Sequence, residues 1–448
     1  MSDSYSEFID KKNHSGKNFG FSPVSMPDAV FPFQRDLIEW AVRKGRAAIF
    51  ADCGLGKTLM QLAWAENVAK KTGGRVIVLT PLAVSHQTAE EARKFGIDAQ
   101  RGDDGSAPSQ IVVTNYERLH YFNPADFQGT VCDESSILKN FAGKTRAAIT
   151  DFMAGHRYRL LCTATAAPND YVELGTSSEA LGIMERKHML SRFFTHDGGD
   201  TASWRLKGHV RSEIFWKWMT TWARAVRSPS DIGYDDDGFK LPELIKRMHV
   251  VESPPPSDAL FSMPAIGLSE QREERRRTLE TRCELAAEIA SSTTGPVVCW
   301  CSLNKEGDLL ESMIDGAVQV SGADSDDVKE ERFRAFESGE ARVMVTKPTI
   351  AGFGLNWQHC ANQTFFPSHS FEQWYQAIRR SWRFGQKNPV TVDVITSEGE
   401  QRVMANLEAK TRAAEKMFSE LVKHMASEDQ ENQPKQQEEK EEIPSWLS

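Results

Sequence analysis

The stretch Ala51-Asp-Cys-Gly-Leu-Gly-Lys-Thr58 constrains this chain more than any other. It follows a short apolar run and precedes a helix-like segment, which is the setting of a loop that holds a nucleotide's phosphates. Gly54, Leu55 and Gly56 let the backbone come close to a triphosphate, so that main-chain N–H groups and a helix N-terminus face its anionic oxygens. In such a loop Lys57 reaches the β- and γ-phosphates, and Thr58 holds a Mg²⁺ ion. The first glycine of the G-x-x-x-x-G-K-[ST] pattern is Ala51 here. A Gly-rich turn is the plain alternative, and residues elsewhere must decide between the two.

Downstream, from residue 31 to residue 173, short apolar runs alternate with helix-like stretches, as in a parallel sheet flanked by helices. Strands are predicted at 47–50, 76–80, 111–115, 130–132 and 158–162. Each ends at or near a polar motif, and ligands of open α/β sheets bind beyond the carboxyl ends of strands. A second alternating block predicts strands at 297–300, 317–320, 342–346 and 390–395. The expected fold class is therefore α/β, with two tandem parallel-sheet lobes and a helical insertion between them. The boundaries read as a polar leader (1–26), a first lobe (27–176), a helical insertion with linker (177–292), a second lobe (293–426) and an acidic, disordered tail (427–448).

Composition excludes some roles and leaves others open. No run of about eighteen apolar residues exists to span a bilayer, and the leader lacks the apolar stretch of a secretory signal. A cytoplasmic protein is expected, in the host cytoplasm if a phage encodes it. The seven cysteines are scattered without a C-x-x-C pair and read as free thiols. Cys299-Trp-Cys301 has no second ligand pair, so zinc is not expected. The net charge of −9 argues against nucleic acid only at first sight, because residues 427–442 supply five of those negative charges. The remaining body is mildly acidic and leaves room for a local basic channel.

The chemistry that the loop needs appears in Val131-Cys-Asp133-Glu134-Ser-Ser, an apolar run ending in two carboxylates. Asp133 is placed to bind Mg²⁺, and Glu134 to orient and deprotonate an attacking water. A strand-end Asp-Glu pair is common on surfaces, but the upstream loop on the same sheet favours the functional reading. Phosphoryl transfer also needs positive charge on the developing transition state. One cluster offers it: Gln376-Ala-Ile-Arg379-Arg380-Ser-Trp-Arg383-Phe-Gly-Gln386, where Arg380 and Arg383 share a helix face. Taken alone, that cluster is a solvated basic face.

Together these motifs resemble those of superfamily 2 helicase-type motors, and most of all Swi/Snf-type double-stranded DNA translocases of the small form found in phages and bacteria. The resemblance spans residues 31–400. Phe33-Gln34 resembles the segment whose glutamine reads adenine, Asp52 to Leu59 motif I, Thr80-Pro81-Leu-Ala-Val motif Ia, and Val113-Thr-Asn-Tyr116-Glu the motif Ib region. Asp133-Glu134-Ser-Ser-Ile-Leu-Lys139-Asn140 resembles motif II with the family's Lys-Asn extension, and Cys162-Thr163-Ala164-Thr165 with its continuation to Asn169 resembles motif III. In the second lobe, residues 298–304 match motif IV, Gly352-Phe-Gly354-Leu-Asn356 motif V, and Arg380 to Gln386 motif VI. The resemblance implies two RecA-like lobes, ATP and Mg²⁺, and arginine fingers at Arg380 and Arg383. It also implies nucleotide contacts at Gln34, Gly354 and Gln376, and coupling between lobes through Thr163 and Thr165. A duplex track would pass Thr80, Thr114, Thr346 and Lys347, touching phosphates and not base edges.

Three departures bear on coupling and leave the nucleotide chemistry intact. Ser136 stands where many relatives have His, Ala164 and Ala166 where Gly and Pro are usual, and Trp382 replaces a His. The insertion holds Trp204, Trp216, Trp218 and Trp222 among basic residues, a composition that suits single-strand stacking. Phe215, Trp218 and Trp222 nevertheless follow i, i+3, i+7 spacing, which is more simply a buried helix stripe. The leading expectation is a duplex-tracking, DNA-stimulated ATPase. The alternatives are a strand-separating DNA or RNA helicase, and a weakly catalytic, ATP-gated DNA-binding factor that recruits a protein partner through its acidic tail.

Overall fold

The computed structural model describes residues 18–139, 143–167, 170–196, 204–253, 268–351 and 355–432 of the 448. The first sheet begins with β1 (Arg46–Ala51), β2 (Arg75–Thr80), β3 (Ala99–Arg101), β4 (Ile111–Asn115), β5 (Phe127–Asp133) and β6 (Tyr158–Cys162). A short antiparallel pair, β7 (Phe194–His196) and β8 (Trp204–Leu206), stands apart from it, and β9 (Ala223–Val226) returns to it. The second sheet contains β10 (Leu244–Val251), β11 (Val297–Trp300), β12 (Ala317–Val320), β13 (Val343–Thr346), β14 (Asn362–Phe365) and β15 (Val390–Ser397). The spatial orders are β3-β4-β2-β5-β6-β1-β9 and β10-β15-β14-β11-β13-β12, with every pairing parallel. The chain thus folds as two tandem RecA-like α/β lobes.

Parallel strands covered on both faces read as unbroken apolar runs, and that is why the strands were legible. Along β1, Ala48 and Phe50 join Ile77 and Leu79 in one core layer, while Ala47, Ile49 and Ala51 join Val76 and Val78 in the other. In the second lobe, Val298, Trp300 and Met344 face one layer and Val297, Cys299 and Val345 the opposite one.

Three expected boundaries move. The segment 177–292 does carry the helices Arg186–Phe193, His209–Thr220, Leu268–Arg277 and Leu279–Ser292, but it also supplies an edge strand to each sheet. β9 closes the first sheet beside β1, and β10 closes the second beside β15, so the chain passes between sheets over residues 227–243. Phe215, Trp216, Trp218 and Trp222 are buried in the first lobe's core, as the helix spacing predicts. The polar leader is in part structural: Phe19 N donates to the Lys44 carbonyl at 2.9 Å and Val24 N to Asn67 at 2.7 Å.

At the other end, the helix Gln401–Asn432 continues past the expected start of the tail, and residues 433–448 lie outside the described residues. This helix starts on the second lobe, where Leu407 joins the core, and finishes on the first, where Met417, Phe418, Leu421 and Met425 are buried. No described helix is long and apolar enough to cross a membrane.

Candidate functional site

The loop after β1 has the shape its sequence predicts. Gly54 and Gly56 adopt φ of +90° and +75°, a region that residues with a Cβ avoid. Gly56 is also the N-cap of the helix Lys57–Thr72, and no side chain caps that end. First-turn N–H groups therefore face the loop, where they favour an anion. Lys57 Nζ folds back to donate to the carbonyls of Ala51 at 2.9 Å and Asp52 at 3.3 Å. Thr58 follows it in the first turn and is half-buried. Gln34, in the helix Pro32–Lys44, donates Nε2 to the Leu55 carbonyl at 2.8 Å and accepts from Phe31 N at 3.0 Å. Its amide thus braces the loop from behind.

β5 ends beside that loop because it lies two strands from β1, across β6. Its last residue, Asp133, is in register with Cys162 and accepts a bond from Gln61 Nε2 at 2.6 Å. Burial and the neighbouring Glu134 carboxylate push the Asp133 carboxyl up to about 6, against the opposing pull of Gln61 and Lys57. The Tyr116 hydroxyl donates to the Asp133 carbonyl and fixes the strand end. Glu134 takes φ +48°, the only non-glycine with positive φ among the described residues. Strain of that kind costs on the order of 1–3 kcal/mol and persists where surroundings impose it. One such constraint is Thr163, whose hydroxyl donates to Glu134 Oε2 at 3.1 Å and accepts from Thr165 N at 3.0 Å. The Thr163–Thr165 turn therefore touches the carboxylate directly, while the Thr165 hydroxyl is buried without a partner among the described residues.

The second lobe reaches this site through the helix Phe371–Ile378 and the turn after it. Arg380 Nη1 and Arg383 Nη1 both donate to the Leu355 carbonyl, at 3.1 and 3.2 Å, and Arg380 Nε donates to the Gln376 carbonyl at 3.0 Å. Burial and the adjacent Arg380 bring the Arg383 pKa down to about 10. The next residue, Phe384, rests on the phosphate loop: a Cβ added to Gly54 would lie 2.7 Å from Phe384 N. Phe384 also stacks on Phe239 with ring centres 4.8 Å apart. Two ion pairs join the lobes on the same helix, Lys139 with Glu372 and Asp52 with Arg379.

Other expected residues lie differently. Thr80, Thr114 and Thr346 have no exposed surface. Thr80 donates to the Pro81 carbonyl at 3.1 Å and Thr346 to the Val320 carbonyl at 3.0 Å, so these hydroxyls serve the strand ends. Thr114 Oγ1 is buried without a partner among the described residues. Lys347 is half-exposed and donates to Asn304 at 2.5 Å. Gln376 is buried with Nε2 unpartnered among the described residues, and Gly354 lies outside them, as do Asn140 and Asn169. Gln61, Asp52, Tyr375 and Arg379 were not singled out as site residues from the sequence. The one local signal that could have found any of them is the helical spacing of Gln61 four residues after Lys57.

The donor set fits a nucleoside triphosphate with Mg²⁺. Uncapped amides and Lys57 offer positive charge where phosphates would lie, and a buried carboxylate stands close enough to Lys57 to be stabilised by it. A comparison with protein families agrees: residues 31–174 match the DEAD/DEAH box helicases. This segment is similar to a DEAD/DEAH box helicase domain. The matched segment contains the loop, Gln34, the Asp133–Glu134 pair and the Thr163–Thr165 turn, while Arg380 and Arg383 lie beyond it. Among solved structures, the chain resembles the Sulfolobus solfataricus SWI2/SNF2 ATPase core in complex with dsDNA. The two are 18% identical, over 92% of this chain and 97% of that one, with a TM-score of 0.43. Likeness of that degree carries no functional argument. No curated protein matches the chain.

Proposed function

We propose that this protein is a DNA-stimulated ATPase that moves along duplex DNA by opening and closing its two lobes around ATP. The observation that carries the proposal is the division of the site. Lys57, Asp133 and Glu134 belong to the first lobe, Arg380 and Arg383 to the second, and Phe384 closes directly onto Gly54. A site so divided is completed only when the lobes approach, which ties chemistry to movement.

In the proposed reaction, Lys57 leaves the Ala51 and Asp52 carbonyls for phosphate oxygens, a charge-assisted bond roughly twice as strong as a neutral one. Glu134, held by Thr163, orients a water and takes its proton as the oxygen attacks the γ-phosphorus. The bond to the β–γ bridging oxygen breaks, and ADP and phosphate leave. Arg380 and Arg383 leave the Leu355 carbonyl to stabilise the charge that spreads over the transferring group. Thr58 and Asp133 would hold Mg²⁺, which when bound neutralises phosphate charge. Lys347, half-exposed just past the carboxyl end of Val343–Thr346, would meet a phosphate of the track.

Turnover measured in parallel with duplex DNA, single-stranded DNA and RNA tests the proposal; duplex should stimulate most, and equal rates with and without duplex would overturn it. The DEAD/DEAH box match favours strand separation as a second reading. Displacement of the third strand of a triplex without unwinding of a fork supports tracking, and fork unwinding supports that second reading.

A further inference from the structure

Arg379 stands one residue before the finger pair, yet its partner is of another kind. Its guanidinium donates to Oδ2 of Asp52, and the Tyr375 hydroxyl donates to Oδ1 of the same carboxylate. Asp52 Oδ1 also accepts from Cys53 N at 2.6 Å, so the carboxylate is part of the phosphate loop's own hydrogen bonding. The pair joins residues 327 positions apart, on opposite lobes, and both are buried: Arg379 is 6% exposed and Asp52 7%. Arg379 is held from its own side as well. It lies over the Trp382 ring at 4.4 Å and donates to the Trp382 carbonyl at 3.3 Å, while Trp382 Nε1 donates to the Pro242 carbonyl at 2.7 Å.

Partner chemistry divides the cations of the site into two groups. Lys57, Arg380 and Arg383 donate to neutral main-chain carbonyls. A triphosphate offers them charged oxygens and a stronger bond. Arg379 already holds a carboxylate away from water, and removing it would leave that carboxylate buried and unpaired, the costliest way to break an ion pair. The first group is free to exchange partners, and Arg379 is not. Its helix is tied at a second point of opposite polarity, where Glu372 meets Lys139 of the motif II extension. Glu372, Tyr375 and Arg379 fall at i, i+3 and i+7, so one helix face carries all three contacts.

We propose that Arg379, with Tyr375 and Asp52, forms a clasp that positions the reacting residues. It fixes the helix Phe371–Ile378 against the phosphate loop so that Arg380 and Arg383, on the turn that follows, meet the nucleotide. Arg379 is thus a positioning residue and not a third finger. Trp382, which stands where relatives carry His, belongs to the same device, since its ring and carbonyl both hold Arg379. This inference rests on the ATP-hydrolysis reading for its consequence in turnover, but not for the contact between lobes.

The test compares wild type with Arg379→Met, Arg379→Lys, Asp52→Asn and the Asp52→Asn/Arg379→Met double variant. DNA-stimulated kcat and affinity for a non-hydrolysable ATP analogue are measured for each. Arg379→Met should lower kcat about tenfold or more while analogue affinity stays within about threefold, the pattern of an interaction needed only in the transition state. Arg379→Lys should recover part of the loss, and the double variant should be no slower than the slower single. Unchanged kcat, a parallel fall of kcat and affinity, or single effects that multiply would each overturn the clasp. Should Arg379→Met not fold, Tyr375→Phe, which removes one hydroxyl, carries the same test. A wild type that hydrolyses no ATP would refute the activity itself, and the clasp is then judged on lobe separation in nucleotide-free protein. Dyes on Lys94→Cys and Glu340→Cys, both exposed, report that separation because all seven native thiols are buried. Arg379→Met should broaden and lengthen the distance distribution, and an unchanged distribution overturns the clasp.

Discussion

Glu134 is the residue on which the proposed chemistry turns, and its surroundings give it a single orientation. With φ at +48° and the Thr163 hydroxyl on Oε2, the carboxylate is held at the end of β5 before any substrate binds. Glu134→Gln should keep ATP binding and lose hydrolysis by about 10²- to 10⁴-fold, the usual contribution of a positioned base. Normal hydrolysis by that variant would refute the assignment. Thr163→Val removes both hydrogen bonds of that hydroxyl, and loss of the one to Glu134, worth about 1 kcal/mol, should slow turnover about fivefold or more with little change in nucleotide affinity. A second residue responds to pH. His156 is buried between the Thr130 hydroxyl and the Pro124 carbonyl, and burial lowers its pKa from the ordinary 6.5. The unfolded chain then binds this proton more readily than the folded one. The stability His156 lends at neutral pH is therefore lost as pH falls through about 6.5 toward its folded value. Melting temperature should drop less steeply between pH 7 and 5.5 for His156→Gln than for wild type; equal slopes would contradict this. Lys57, Asp133 and Glu134 were legible in the sequence because their motifs are local. Gln61 and Arg379 were not, because their partners, Asp133 and Asp52, lie 72 and 327 positions away.

Among the elements, the helix Gln401–Asn432 has the least expected role. It leaves the second lobe and buries Met417, Leu421 and Met425 against the aromatic core of the first, where Met425 sulfur lies 3.2 Å from Ala225 N on β9. A residue near the chain's end therefore stabilises the lobe at its beginning. Leu421 has no exposed surface, so Leu421→Ala should destabilise the first lobe by about 2–5 kcal/mol. A loss under about 0.5 kcal/mol, as at a surface site, would show that the helix merely rests there. The strands read from the sequence at 111–115, 158–162, 297–300 and 317–320 coincide with β4, β6, β11 and β12, because each is an apolar run stopped by a polar motif. Missed strands lack that contrast. β10 sets Lys246, Arg247 and His249 among its apolar residues because it is an exposed edge, and β14 begins Asn362-Gln363-Thr364 although it lies inside the sheet. The linear pattern could not reveal that β9 returns to pair with β1, since that placement depends on the open edge of another strand.

The molecule as a whole is a site cut in two and brought together. Its halves meet at the phosphate loop: Phe384 rests on Gly54, Arg379 holds Asp52, and Glu372 holds Lys139 beside the Asp133–Glu134 strand end. The first half was the more legible, since strands, loop and carboxylates follow one another within about one lobe's length of chain. In the second half the strands were legible but the arginine cluster, taken alone, read as a basic helix face, and its place beside the first lobe is set by Arg379 on Asp52 and Phe384 on Gly54. The burial of Thr80, Thr114 and Thr346 was not legible for a related reason: sequence marks a strand end but not whether its hydroxyl is turned inward. The most direct measurement of the divided site is DNA-stimulated turnover by Arg383→Ala beside its affinity for ATP. An arginine that acts from the opposite lobe in the transition state should cost about 10³-fold or more in kcat when removed, with ATP affinity changed little. Turnover equal to wild type would show that the second lobe takes no part in the chemistry.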